Sequence, residues 1–296
     1  MTHPVSLLLG VHAHQPVGNF SSVLEEAHER CYRPFLRTLH RYPQFRFAAH
    51  FSGWLLDWLL AHHPQDMALL KEMVARGQVE LFGAGDCEPV LAAIPQRDRI
   101  GQVNLLTEKL ERRFGARVDG AWLTERVYIP TVVPALADCG MRYVTVDDYH
   151  FLCTGKAADE LDGFYTTEED GRTIDLFPIS EQLRYRLPFS PAAEAVAYLE
   201  SLAREGHQAA VYFDDIEFEV LEPLDDSGGG EMSVGVAIPS GASPEPECEI
   251  TERDEAPTLS DEGICLLEHA PERLPALGSV PEQPSSFVVS APSFGH

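Results

Sequence analysis

Seven short apolar runs, separated by stretches of helical period, constrain this chain more than anything else in it. They lie at 5–11, 47–51, 79–83, 120–123, 143–146, 173–178 and 209–213. Most lack the apolar–polar alternation of a half-exposed strand, which reads as strands buried on both faces. Between them, 23–41, 65–76, 97–114, 131–139 and 191–205 carry apolar residues at helical spacing, with Pro34 expected to break or kink the first. Strands of this kind joined by helical crossovers predict a closed or nearly closed β/α barrel, with an open doubly wound sheet as the rival. No GxGxxG or GxxxxGK(S/T) follows any run, which weakens a nucleotide-binding version of either.

From Ile216 onward the pattern stops. Acidic residues and prolines crowd in, Gly228-Gly229-Gly230 forms a joint, and Arg253 and Arg273 are the only Lys or Arg residues left. No period persists, so 216–296 is expected to be a disordered acidic tail. The net charge of -25 argues against nucleic acid and anionic membranes as partners, since both are polyanions. The six cysteines form no CxxC pair, the first residues carry no basic leader, and the run 5–9 is too short to span a bilayer. A cytoplasmic protein is the expectation.

In a β/α barrel the chemistry sits where strands end and the following loops begin. His12, His14, His50, the segment from Glu80 to Glu88, Glu125, Asp147, Asp148, Asp214 and Asp215 all fall at or near such points. Glu125 and one of the Asp214-Asp215 pair would supply the two carboxyls that glycoside hydrolysis requires, about 5–5.5 Å apart for a double displacement. Alone, Glu125 beside Arg126 reads equally as a surface pair; Trp122, with a ring that packs on sugars, favours the site. Adjacent Asp214 and Asp215 point to opposite sides, so one faces the centre while the other caps a helix or holds a donor. His12 and His14 share a side of their strand. They could bind a metal with His50, bond sugar hydroxyls, or be ordinary polar packing. Tyr149 follows Asp147-Asp148 at a rim position, whereas Trp54 and Trp58, at helical spacing, read as packing.

Taken together and in order, these segments resemble glycoside hydrolase family 57, most closely its 4-α-glucanotransferase and α-amylase branch. The matching motifs are His12-Ala13-His14-Gln15-Pro16, His50-Phe51-Ser52-Gly53, Gly77-Gln78-Val79-Glu80, Glu88-Pro89-Val90-Leu91, Trp122-Leu123-Thr124-Glu125-Arg126-Val127, Val146-Asp147-Asp148-Tyr149-His150-Phe151 and Phe177-Pro178-Ile179. The resemblance implies a (β/α)7 barrel, a retaining mechanism on α-1,4-glucans or maltooligosaccharides, and no metal cofactor. It implies Glu125 as nucleophile, Asp215 as general acid/base, and His14, Glu80 and Trp122 around the donor sugar. His12, Asp148 and Tyr149 complete the expected substrate-binding set.

The resemblance covers about residues 6–215. Where the family continues through a Gly-Glu-Lys-Phe-Gly segment, this chain reads Ile216-Glu217-Phe218-Glu219-Val220. The expected organisation is therefore a catalytic barrel over 1–215, incomplete after its seventh strand, and a non-matching tail over 216–296. The coincidence of the two breaks points to a reading-frame shift. Three functions stay open: a glucan-cleaving or glucan-transferring enzyme, an inactive remnant that at most binds glucan, and a metal-dependent hydrolase built on His12 and His14.

Overall fold

The computed structural model describes residues 5–187, 189–216 and 289–290. The expectations for 217–288 and 291–296, including the acidic tail and the frame shift, lie outside the described residues.

Strands β1 (Ser6–Ala13), β2 (Phe47–Phe51), β3 (Val79–Leu81), β4 (Gly120–Ala121), β5 (Tyr143–Asp147), β6 (Tyr165–Glu169), β7 (Arg172–Ile179), β8 (Ala209–Asp215) and β9 (Val289–Ser290) form one sheet. Its order is β3-β2-β1-β8-β7-β5-β4, and every pair along that path is parallel. A parallel bridge between Gly83 and Ala121 joins the two ends of the path. There Gly83 N–H donates to the Gly120 carbonyl at 2.9 Å and Trp122 N–H donates to the Gly83 carbonyl at 2.8 Å. The seven parallel strands thus make a nearly closed (β/α)7 barrel, and they are the seven apolar runs of the sequence. An open doubly wound sheet is excluded by that bridge.

Two strands fall outside the ring: β6 pairs antiparallel with β7, and β9 pairs antiparallel with the start of β1. β6 was not expected, because its residues Tyr-Thr-Thr-Glu-Glu form no apolar run. The signal that announces it is Asp170-Gly171. Both adopt φ near +50° to +72°, the tight hairpin turn that Asp-Gly favours.

The expected first helix runs as Ser21–Ala27, a wide π turn His28–Tyr32, and Arg33–His40. Pro34 has no N–H to give the Arg30 carbonyl, and the wide turn immediately before it accommodates that missing bond without breaking the rod. A helix over Gly53–His62 carries Trp54 and Trp58, both packed against the core as their spacing implied. The helices Pro64–Ala75, Gln96–Phe114 and Ala192–Glu205 follow their predicted periods closely. Among the described residues no helix is long and apolar enough to cross a membrane.

Aromatic side chains fill the barrel. Phe82 and Phe213 meet at 5.1 Å between ring centroids, Trp122 and Phe213 at 4.9 Å, and Phe82 and Tyr143 at 5.7 Å. Gly10 on β1 is glycine because a Cβ there would enter the Phe213 ring. With the interior below filled, a polar cluster finds room only at the mouth.

Candidate active site

Parallel register delivers the cluster. His12 is level with His50 on β2 and with Asp215 on β8. Its Nδ1 lies 2.8 Å from Nδ1 of His50, so one ring donates and the other accepts. Its Nε2 lies 3.4 Å from Oε1 of Glu88 and 3.7 Å from Oδ1 of Asp215. Glu88 pairs with His14 through its other oxygen and stands 3.9 Å from Nδ1 of His50. Burial, then the neighbouring His50 and His14, hold the His12 imidazole well below its usual range; burial also brings His50 down to about 4. Both rings are therefore neutral near pH 7 and serve as hydrogen-bonding groups rather than cations.

Glu88 closes the segment from Glu80 to Glu88 flagged at the rim and stands in a quoted motif, but the sequence assigns it no role. It sits in the loop after β3 at φ 51°, and only barrel closure swings its carboxylate under His12 and His14.

On the opposite side of the mouth, Thr124–Arg126 form a single 3-10 turn after β4. Glu125 and Arg126 both adopt φ 56°, a left-handed conformation unusual for such side chains and costing about 1–3 kcal/mol each. Strain of this size persists only where surroundings over-determine it. Arg126 supplies the anchors. Its guanidinium lies 5.9 Å over the Trp122 ring, 3.3 Å from Asp147 and 3.6 Å from Asp214.

Asp214 and Asp215 diverge as expected of strand neighbours. Asp214 takes Nε of Arg184 at 2.9 Å, so it is the one that holds a donor. Asp215 faces His12. Burial, followed by the charge of Asp214, pushes its carboxyl up to about 6, with Glu125 and Glu88 adding to the rise and Arg126 opposing it. Glu125 and Asp215 thus share one mouth, close enough for one charge to act on the other.

The remaining expected residues are placed as follows. Trp122 is 1 % exposed and stacks on His12 at 4.5 Å as well as on Phe213, so its ring is engaged by protein. Its buried Nε1 has no hydrogen-bond partner among the described residues. Asp148 precedes the turn Tyr149–Leu152 and accepts the Glu181 N–H at 3.0 Å; burial raises its carboxyl. Tyr149 is 68 % exposed on the rim. Glu80 is not brought into the cluster. It is level with Ala48, two residues before His50, and the nearest charge acting on it is Asp119 at the foot of β4.

Burial, then Asp119, pushes the Glu80 carboxyl up to about 8. The folded chain therefore keeps a proton that the unfolded chain loses above about 4.5, and stability falls as pH rises through that window toward 8. Glu80→Gln is expected to remove the fall, stabilising the chain by about 2 kcal/mol at pH 7 with little change at pH 4.5. Urea unfolding at the two pH values checks this; an equal effect at both contradicts a neutral Glu80.

Among the described residues two groups have metal-ligand composition. His12, His50 and Glu88 offer donor atoms within 4.8 Å of one another, and His28, His63 and Asp66 do the same. In the second, Asp66 already receives His28 at 3.0 Å, Arg33 at 3.2 Å and Arg37 at 3.0 Å. Two guanidiniums repel a cation, so this is an ionic clamp between helices. The first group has the neutral imidazoles and the carboxylate a divalent ion would need, with the Arg126 charge nearby as the opposing influence.

Comparison with known proteins agrees with the geometry. An α-amylase of Pyrococcus abyssi is 48% identical over 221 residues, covering 74% of this chain and 34% of that protein. A 4-α-glucanotransferase of Thermococcus kodakarensis is 47% identical over 214 residues, covering 72% of this chain and 33% of that protein. The crystal structure of the 4-α-glucanotransferase from Thermococcus litoralis superposes with a TM-score of 0.70 at 44% identity, over 73% of this chain and 34% of that one. The chain thus spans about a third of the length of the relatives it matches. The family described as Glycosyl hydrolase family 57 matches residues 8–227, and with the barrel and its mouth in the positions described, the chain belongs to that family.

Proposed function

We propose that this barrel breaks α-1,4-glucosidic bonds with retention and passes the glucosyl unit to a sugar hydroxyl or to water. Glu125 attacks the anomeric carbon as its bond to the leaving oxygen breaks, and Asp215 gives that oxygen its proton. In the second half, Asp215 takes a proton from the incoming hydroxyl, whose oxygen displaces Glu125. His12 and His14 hold hydroxyl groups of the donor sugar, with the buried Glu88 carboxylate fixing both rings from beneath. The observation that carries this reading is a carboxyl raised to about 6 at the end of β8, facing the same mouth as Glu125. Such a group keeps its proton at mildly acidic pH and can deliver it.

The test is incubation of the full chain with maltoheptaose, followed by proton NMR of the first products. Retention predicts the α-anomer first, with longer chains appearing if transfer dominates. Early β-anomer defeats the double displacement. A second reading is a protein that binds glucan without turning it over. Saturable maltoheptaose binding by calorimetry with no turnover would select it.

The cluster of His12, His50 and Glu88 supports a third reading, a metal-dependent hydrolase. Under the first reading, chelation leaves turnover unchanged and added zinc inhibits by competing for the sugar-binding groups. Activity lost to chelator and restored by one equivalent of zinc would select the third.

A further inference from the structure

Four charges from four strand ends form a ring beside the site. Asp147 closes β5, Arg126 follows β4, Asp214 lies near the end of β8, and Arg184 ends the short helix Glu181–Arg184 after β7. Oδ1 of Asp147 is 3.3 Å from Nε of Arg126 and 3.3 Å from Nη1 of Arg184. Asp214 completes the ring, with Oδ1 3.6 Å from Nη1 of Arg126 and Oδ2 2.9 Å from Nε of Arg184. The charges sum to zero, and the side chains of Arg126 and Asp214 are only 17% and 13% exposed. Each guanidinium spans both carboxylates, which a planar fork can do and a single ammonium cannot.

What makes the ring more than a staple is its neighbours along the chain. Arg126 adjoins Glu125, and Asp214 adjoins Asp215. Asp214 Oδ1 also accepts the Asp215 N–H at 3.1 Å, tying the carboxyl to its own strand while Asp215 turns toward His12. The strained Glu125–Arg126 turn and the end of β8 are thus joined through ring members, not through the catalytic groups. Arg184 is in turn set by its helix. Ser180 Oγ accepts the Leu183 N–H at 3.3 Å, and Asp148 accepts the Glu181 N–H.

We infer that Arg184 is a positioning residue which, through this ring, sets the spacing and orientation of Glu125 and Asp215. The inference rests on the reading of those two residues as the reacting pair.

The test compares Arg184→Met and Arg184→Lys with the parent in the full chain, using two readouts. One is turnover of maltoheptaose. The other is the titration of the Asp215 carboxyl, followed by carbon NMR of labelled aspartate. Arg184→Met lowers kcat on the order of 100-fold with KM little changed. It also raises the Asp215 midpoint above about 6, because Asp214, left with Arg126 as its one ring partner, acts on it more strongly. Arg184→Lys keeps the charge but not the fork; its midpoint returns toward the parent value and its kcat only partly recovers.

A lowered melting temperature with kcat and midpoint unmoved would overturn the inference, as would full rescue of kcat by lysine. If the parent chain turns over no glucan, the reading of Glu125 and Asp215 as a reacting pair fails for this chain. The midpoint then decides the ring on its own: a rise in Arg184→Met supports it and an unmoved midpoint ends it. Should the methionine variant fail to fold, the lysine variant is judged against the parent by the same two readouts.

Discussion

Glu125→Gln is expected to abolish turnover of maltooligosaccharides, a loss on the order of 10,000-fold or more in kcat. Glutamine keeps the shape and the left-handed backbone at φ 56°, so the turn Thr124–Arg126 and its anchors through Arg126 survive. What is lost is the anionic oxygen that the proposed mechanism joins to the glucosyl unit as an ester. The variant should still bind maltoheptaose, since hydroxyl recognition is assigned to other groups. An independent check needs no activity. The Glu125 charge is one of the influences holding the Asp215 carboxyl up near 6, so Asp215 in the glutamine variant should titrate lower than in the parent. Persistent turnover in purified Glu125→Gln defeats the assignment. Lost turnover with the Asp215 midpoint unmoved would mean that the two groups do not share a site.

Asp215→Asn is expected to lower turnover of maltooligosaccharides by about 100- to 10,000-fold. In kcat/KM, which reports the first half of the reaction, it should cost far less with α-glucosyl fluoride, whose leaving group needs no proton. In the parent, kcat/KM is expected to fall as pH rises through about 6, where Asp215 loses the proton that the proposed mechanism has it deliver. In the variant that alkaline fall disappears. The substitution moves stability in the direction opposite to activity. The folded pKa is raised above the ordinary carboxylate value, so the native chain binds a proton that the unfolded chain releases between about 4 and 6, and stability declines over that range as pH rises. Asn removes the penalty and should stabilise the chain by about 1–2 kcal/mol at pH 7, with nothing gained below pH 4. Stabilisation on losing a candidate catalytic group is what a site built against its own folding energy predicts. An inactive variant that is also less stable at pH 7 would recast Asp215 as a structural carboxylate.

Several features were legible in the chain before folding was considered. The seven barrel strands appear as apolar runs because burial on both faces demands them at each strand independently. Pro34 announced a disturbance in the first helix, and the π turn is the form it took. Divergence of Asp214 and Asp215 follows from strand geometry alone. Other features carried a signal that was weaker than its consequence. The hairpin of β6 and β7 rests on one Asp-Gly dipeptide between the polar β6 and the apolar run of β7. Trp122 reads as a sugar platform from its type and place, yet its ring is taken up by His12 and Phe213.

The sequence by itself determined which residues stand at strand ends, and therefore that His12, His50, Glu125 and Asp215 would be candidates for one mouth. Strand period and run length are local properties, written within a few residues of each side chain. Tertiary structure alone decided that Glu88 meets His12 and His14, and that Arg126, Asp147, Arg184 and Asp214 close a ring of charge. It also decided that Glu80 is left beside Asp119 with its proton. Those outcomes depend on which loops barrel closure brings together and on how much water is left between them, and no stretch of chain carries either quantity locally.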